Sequence, residues 1–306
     1  MPSGFHAGEL AVQDRAGVRE HAARVGGSIR EAVPAAAKVF LEQRRFVVLA
    51  SADPEGRPWA SMLTGPAGFA TVPDPREVRI DAAPLPGDPL ADNLRTSRFA
   101  GLLAIDFATR RRMRVNGRLE YAVDRPISIG VDQVYSNCPK YIQRRAAEEG
   151  TVQEAPRLAR RAGTLTEEQR TWIRRADTFF IATLHPEDGA DASHRGGMPG
   201  FVSVDGDRLA WPDYAGNLMY NSLGNIAVHP RAGLLIPDFD SGAALLITGR
   251  AAIEWDPIRT ADVPGAERLV VQVVEEVVEI AGVLPPSARV LEYSPFNPPV
   301  ERPPPA

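Results

Sequence analysis

Two short stretches of the sequence carry groups suited to holding an anion. The string SHRGG at 193–197 offers an imidazole, a guanidinium and exposed backbone from His194, Arg195 and Gly196. The string PDYAGN at 212–217 brings Gly216 and Asn217 together. Glycine lets backbone N–H groups approach a ligand, and the Asn amide adds donors. The run between the two strings is apolar, so the pattern reads as two strands that each end in ligand-holding groups. Taken alone, His194 and Arg195 are equally well explained as a solvated turn. No residue stands out as a general base, and His194 is the one candidate proton relay.

The first half has its own cationic string, TRRRMRVNGR at 109–118. In a strand, Arg112, Arg114 and Asn116 share one face. Arginines on one face repel unless they meet solvent or an anion. Two readings stay open: a solvated basic edge that discourages aggregation, or a grip on phosphate or carboxylate. A third string, NCPKY at 137–141, reads as a strand-to-helix junction, where a helix N-terminus attracts anions and Lys140 assists. The lone cysteine, Cys138, reads as a buried structural residue in preference to a reactive thiol. The histidines His6, His21, His185 and His229 lack metal-ligand spacing, so no metal site is expected. There is no P-loop, no GxGxxG string and no nucleophile elbow.

These groups need strands to position them. Residues 1–16 read as an extended arm, and residues 20–32 and 34–45 as helices. Short strands are expected at 46–51, 59–63, 78–81, 101–107, 113–121 and 127–135, a spacing typical of a barrel or sandwich. Residues 139–176 read as a helical connection, from KYIQRRAAEE to the capping-box pattern at Thr166 and Gln169. Residues 268–280 are β-branched and strand-like, and the Pro-rich tail reads as disordered or extended.

The chain then repeats itself. Gly249 and Gly117 are 132 residues apart, as are Ser193 and Ser61. At that single offset the pairs Ala50/Ala182, Pro54/Pro186, Gly65/Gly197, Phe69/Phe201 and Asn93/Asn225 match, as does AGLL at 100–103 and 232–235. One gapless register with so many matches is an internal duplication of a β-rich unit. Two copies of this size are expected to pack as a pseudo-dimer about a two-fold axis. The copies differ where a site would lie. His194, Arg195 and Gly196 correspond to Met62, Leu63 and Thr64, and Gly216 and Asn217 to Pro84 and Leu85. Arg112, Arg114 and Asn116 correspond to Ala244, Leu246 and Thr248. Loss at both strings in the first half favours a site in the second.

Composition excludes several classes. With 306 residues, 44% hydrophobic and 24% charged, the chain is an ordinary globular sequence of one large domain or two. A formal charge of −4 gives no reason to expect nucleic-acid binding. The longest apolar stretch, 269–284, contains Glu275, Glu276 and Glu279, which argues against a membrane span. The single cysteine and the absence of a signal-peptide pattern point to the cytoplasm.

The strings FFIATL at 179–184, DASHRGGMPGF at 191–201, LAWPDYAGN at 209–217, PRAGLL at 230–235 and LITGRA at 246–251 resemble the pyridoxamine 5′-phosphate oxidase-like, FMN-binding split-barrel family. FHAGE at 5–9, TRRRMRVNGR at 109–118 and NCPKYIQ at 137–143 resemble the first half of a two-domain branch of it. The resemblance implies a mainly β fold with flanking helices (α+β): a tandem duplicated split β-barrel forming an intramolecular pseudo-dimer. The implied units are an arm and helices at 1–45, a first barrel at 46–138, the connection at 139–176, a second barrel at 177–293 and the tail at 294–306. It implies FMN in the groove between barrels, with FAD, a deazaflavin or haem as alternatives. Ala192 to Gly196, including Ser193, His194 and Arg195, would run along the flavin. Trp211, Asp213, Gly216, Asn217 and Ser222 would form the phosphate-side loop, with Arg112, Arg114 and Arg250 as closers.

The chain departs from the oxidase proper. YAGN stands in place of its Ser-Arg-Lys phosphate cluster, and no C-terminal Arg-x-His motif is present, so pyridoxal phosphate synthesis is not expected. The resemblance implies a flavin-dependent oxidoreductase with a small-molecule substrate and an external electron donor, NAD(P)H or a reductase. A non-catalytic carrier, sensor or scavenger is the alternative, and a degenerate pseudo-dimer without cofactor a third. The chain would act as a monomeric pseudo-dimer or a homodimer, away from nucleic acid and membranes.

Overall fold

The computed structural model describes residues 4–122, 125–146, 155–284, 289–301 and 303–304. The N-terminal part holds α1 (Ala7–Arg15), α2 (Arg19–Gly26) and α3 (Ala35–Glu42). The first barrel follows: β1 (Phe46–Ala52), β2 (Pro58–Thr64), β3 (Ala70–Asp74), β4 (Glu77–Ile80), α4 (Leu90–Asn93), β5 (Phe99–Asp106), β6 (Arg111–Glu120) and β7 (Ile127–Ser136). Between the barrels lie β8 (Arg144–Ala146), β9 (Arg157–Ala162) and α5 (Glu167–Arg175). The second barrel comprises β10 (Thr178–His185), β11 (Gly189–Gly196), β12 (Ser203–Asp205), β13 (Arg208–Tyr214), α6 (Asn221–Val228), β14 (Arg231–Pro237), β15 (Ala244–Glu254), α7 (Pro257–Thr260) and β16 (Ala266–Ala281), and β17 (Arg289–Glu292) closes the series.

The two sheets have the same order. The first runs β2-β1-β5-β6-β7-β4-β3 and the second β11-β10-β14-β15-β16-β13-β12, with β9 added on β16. Neither closes on itself, so each is a split barrel, and the fold is a tandem duplicate. A side-chain bond is repeated as well: Asn93 Nδ2 donates to Ser51 Oγ at 3.0 Å, and Asn225 Nδ2 to Thr183 Oγ1 at 3.0 Å.

The continuous apolar runs of β1 and β10 have one cause. Alternate residues of a strand face opposite sides, and here both sides are buried. Val47 and Leu49 enter the first barrel's core, while Phe179 and Ile181 enter the second's. Val48, Ala50, Phe180 and Ala182 face the other way, into a third core shared by the two barrels. There the backbones touch. A Cβ on Gly101 would lie 2.7 Å from Ala190 O, and one on its counterpart Gly233 would lie 2.4 Å from Pro58 O. The contact is reciprocal, as a pseudo-two-fold axis requires.

Several expectations fail. The arm is helical: α1 is capped by His6 in a capping box with Glu9, and packs on α6. Residues 139–146 are not helical. After β7 the chain runs as a loop into β8, which pairs with β17 from the far end of the sequence. Residues 147–154, which include the end of KYIQRRAAEE, lie outside the described residues, as do residues 1–3 of the arm and 302, 305 and 306 of the tail. Among the described residues of the connection, helix appears only at α5, with the expected capping box of Thr166 and Gln169. The described residues of the tail lack regular structure but are held, since Ser294 N and Asn297 Nδ2 donate to Gln143 Oε1 at 2.8 and 2.9 Å.

Candidate functional site

A polar cleft opens where β6 of the first barrel faces β11 of the second. Its empty space, counting the open solvent at its mouth, is about 780 Å³. Arg112 and Arg114 line it from β6, and Asn137, Cys138, Lys140 and Tyr141 from the loop after β7. The second barrel adds His194, Arg195 and Gly196 of β11, Asp213 and Tyr214 of β13, Gly216 and Asn217, and Asn221 and Ser222 at the start of α6.

Asp191 holds the inner wall. Arg114 Nη1 donates to its two oxygens at 3.0 and 3.2 Å, Tyr135 OH to Oδ1 at 3.1 Å, Ser222 Oγ to Oδ2 at 3.1 Å and Asn116 Nδ2 to Oδ1 at 3.4 Å. Arg114 also donates to Ser193 Oγ, which accepts from Arg195 Nη1 at 2.6 Å as well. Burial works against the Arg114 charge, but Asp191 and Tyr135 outweigh it and its pKa ends raised. Burial drives the Tyr135 hydroxyl the same way, helped by Asp191, so it stays a protonated donor.

The outer wall is less balanced. Arg112 donates from Nη1 to His194 Nδ1 at 3.0 Å and from Nη2 to Cys138 O at 2.9 Å, and no carboxylate pairs with it among the described residues. Burial, then Arg114 and Arg195, lower its pKa to about 9. His194 is held well below its ordinary value, first by burial and then by Arg112, Arg195, Arg114 and Arg145. Burial lowers Arg195 too, with Asp213 opposing. Burial raises Asp213, against Arg195 and Arg268. Its Oδ2 lies 3.4 Å from Arg268 Nη1, an ion pair without hydrogen-bond geometry.

Five buried polar atoms of lining residues make no hydrogen bond among the described residues: Arg112 Nε, Arg114 Nε, Asn137 Oδ1, His194 Nε2 and Asp213 Oδ2. Orphaned buried groups cost about 1–3 kcal/mol each, so a cluster of them around one cleft points to an occupant. The backbone is strained at the same place. Tyr141, Leu218 and Tyr220, all lining the cleft, have φ of 65°, 62° and 60°. Non-glycine residues in this region cost about 1–3 kcal/mol and concentrate at functional sites.

Ten expected residues meet in the cleft: Arg112, Arg114, Lys140, His194, Arg195, Gly196, Asp213, Gly216, Asn217 and Ser222. Ser193 lies behind it, linking Arg114 to Arg195. Two fall elsewhere because of strand parity. Trp211 points into the second barrel, its ring 5.4 Å from that of Phe179. Arg250 is on the outer surface, 76% exposed in its side chain and paired with Glu275 at 3.1 Å. Lys140 comes from a loop, so no helix N-terminus assists it, and its Nζ lies 5.4 Å from the Phe296 ring centroid. Cys138 is exposed, not buried. Gly196 is demanded by packing, since a Cβ there would lie 2.0 Å from Tyr141 O.

Asp191, Tyr135 and Tyr141 escaped the sequence reading. Asp191 left a readable trace, since Trp59 stands 132 residues before it. The counterpart of the cleft is apolar: Trp59, Met62, Leu85, Ala244 and Leu246 all pack in the core between the barrels. Elsewhere, ligand atoms of His6, His185 and Asp188 lie within 4.8 Å of one another. Both nitrogens of His6 are already committed, Nδ1 accepting from Gly8 N at 3.1 Å and Nε2 bonding Asn225 Oδ1 at 2.9 Å. This histidine caps α1. Among the described residues no helix is long and apolar enough to cross a membrane.

Comparison with known proteins agrees with the duplication. A family model described as pyridoxamine 5′-phosphate oxidase matches residues 33–155 and again 165–295. No curated protein matches the chain. Similar solved structures include a putative pyridoxamine 5′-phosphate oxidase from Lactobacillus delbrueckii, 19% identical, covering 38% of this chain and 94% of its own with a TM-score of 0.32. A FAD-binding protein from Mesorhizobium loti is 13% identical over 38% of this chain and 95% of its own, with a TM-score of 0.29. An F420 reductase is 18% identical over 37% and 95%, with a TM-score of 0.28.

Proposed function

Because the chain belongs to the pyridoxamine 5′-phosphate oxidase family, with a copy of its domain in each half, we propose that the cleft binds one flavin, FMN, per chain and serves a flavin-dependent oxidoreductase acting on a small molecule. The carrying observation is the ring of orphaned polar atoms around a wall whose cations outnumber its carboxylates. Arg112, Arg195 and Lys140 suit an anionic group, while Asp213 Oδ2 and Asn137 Oδ1 suit a ligand that also donates. The Tyr141 and Tyr214 rings, 5.2 Å apart, supply aromatic surface. The flavin, when bound, supplies hydride or electron transfer, and the protein supplies orientation and electrostatics. Arg195 and backbone N–H groups of β11 would supply positive potential to a bound flavin as reduction gives it negative charge.

One observation favours the second reading, a carrier or sensor. His194 sits well below its ordinary pKa, so the cleft lacks a histidine poised for acid–base work at neutral pH. An external donor, NAD(P)H or a reductase, and a cytoplasmic location complete the proposal. A second copy is not needed, since the other barrel of the same chain forms the opposite wall.

The test is an absorbance spectrum of the purified protein, with release and identification of any chromophore. Oxidised-flavin bands with about one FMN per chain, bleached by NADH or NADPH, support the enzyme. Flavin that no donor reduces supports the carrier. FAD, a deazaflavin or a haem Soret band replaces FMN in the proposal, and a colourless protein that none of these reconstitutes ends it.

A further inference from the structure

The Arg112–His194 contact fixes more than position. A guanidinium has donors only, so the 3.0 Å contact from Arg112 Nη1 requires His194 Nδ1 to accept. The imidazole proton then sits on Nε2. That N–H is buried, belongs to a residue lining the cleft and has no partner among the described residues. The Phe107 and Phe180 rings meet the imidazole edge-on at 6.4 and 5.9 Å and offer no acceptor. We infer that Arg112 locks His194 as a permanently neutral Nε2–H donor, which selects a ligand presenting a hydrogen-bond acceptor to β11, and that His194 is therefore a specificity residue and not a proton relay. This rests on the flavin reading for the identity of the ligand, but the tautomer lock does not.

The groups around the ring support the lock. Arg112 and Arg114 from β6, Arg195 from β11 and Arg145 from β8 are all cationic and oppose a second proton. Cys138 contributes its backbone carbonyl to the other arm of Arg112. A fixed neutral donor avoids adding a charge to a wall already rich in them.

The test is nitrogen-15 NMR of histidine-labelled protein, with FMN as probe. His194 is expected to show a protonated Nε2 and an unprotonated Nδ1 unchanged from pH 5 to 8, with the Nε2 signal shifting on FMN addition. Arg112→Met should free the ring to titrate or switch tautomer. By fluorescence titration, His194→Phe should weaken FMN binding about threefold to tenfold, the size of one neutral hydrogen bond, and His194→Gln should restore most of it. A protonated Nδ1, or titration between pH 5 and 8 in the wild type, overturns the lock. FMN binding that leaves Nε2 unmoved overturns the specificity role while sparing the flavin reading. Failure to bind FMN with the lock intact removes the flavin reading and, with it, the assignment of FMN as the selected ligand.

Discussion

The Arg114–Asp191 pair offers the sharpest test of the wall. Both side chains are buried, and Asp191 accepts from Arg114, Tyr135, Ser222 and Asn116. Asp191→Asn removes the charge almost isosterically and strands a buried guanidinium. Breaking a buried pair from one side costs about 3–5 kcal/mol. Arg114→Leu strands Asp191 instead, but three neutral donors remain on the carboxylate, so we expect a smaller loss of about 2–3 kcal/mol. The double variant puts Leu where the second barrel has Leu246 and removes both charges of the pair. With the guanidinium gone, the amide introduced by Asp191→Asn no longer faces a stranded buried cation, so the cost of the double variant should lie below that of Asp191→Asn alone. A coupling of about 2 kcal/mol or more follows, against total stabilities of about 5–15 kcal/mol. Urea unfolding followed by the fluorescence of the four tryptophans measures it. Additive losses below about 1 kcal/mol would mean that Asp191 organises nothing.

Two further outcomes are expected. Asp88 is buried, and burial, opposed by Leu90 N and Ser61, raises its pKa from 3.8 to about 6. A raised folded pKa means stability that is present below pH 3.8 and is lost as pH rises to about 6. Asp88→Asn should therefore gain on the wild type by up to about 3 kcal/mol across that window and no further above it, read from urea midpoints. Gly8→Val would set a Cβ 2.3 Å from Gly224 O. Limited trypsin digestion should then cut at Arg15 and Arg19 while both barrels persist, and unchanged resistance would refute the tight α1–α6 contact.

The duplication was legible because both copies must satisfy the same alternation between an inner core and a shared one. Matching pairs such as Gly101/Gly233 sit at the contact itself. Half of the site was legible for the opposite reason: His194, Arg195, Gly216 and Asn217 break the match. Asp191 breaks it too, but a single Asp flanked by Ala190 and Ala192 carries no local pattern, and its meaning appears only when Arg114 and Tyr135 arrive from the other barrel. Trp211 and Arg250 were misplaced by parity, since the outward or inward sense of a strand cannot be read without its partners. Residues 139–146 have helical composition, yet 139–143 run as a loop and β17 recruits Arg144–Ala146 into a strand from far along the chain. The arm was missed because histidine is an uncommon cap.

Joining the two barrels in one chain changes how the cleft responds to dilution. Two separate subunits would lose translational freedom on pairing and would part at low concentration. Here the partner wall is tethered, so its effective concentration is set by the connecting residues and not by the number of molecules in the cell. The linkage also separates the fates of the two faces. In a symmetric pair every substitution appears twice, so a cleft cannot be filled on one side and kept on the other. In this chain Trp59 and Met62 stiffen one face while Asp191 and His194 remain free to serve the other. The counterpart of the cleft has become packing between the barrels, which holds the remaining wall in place.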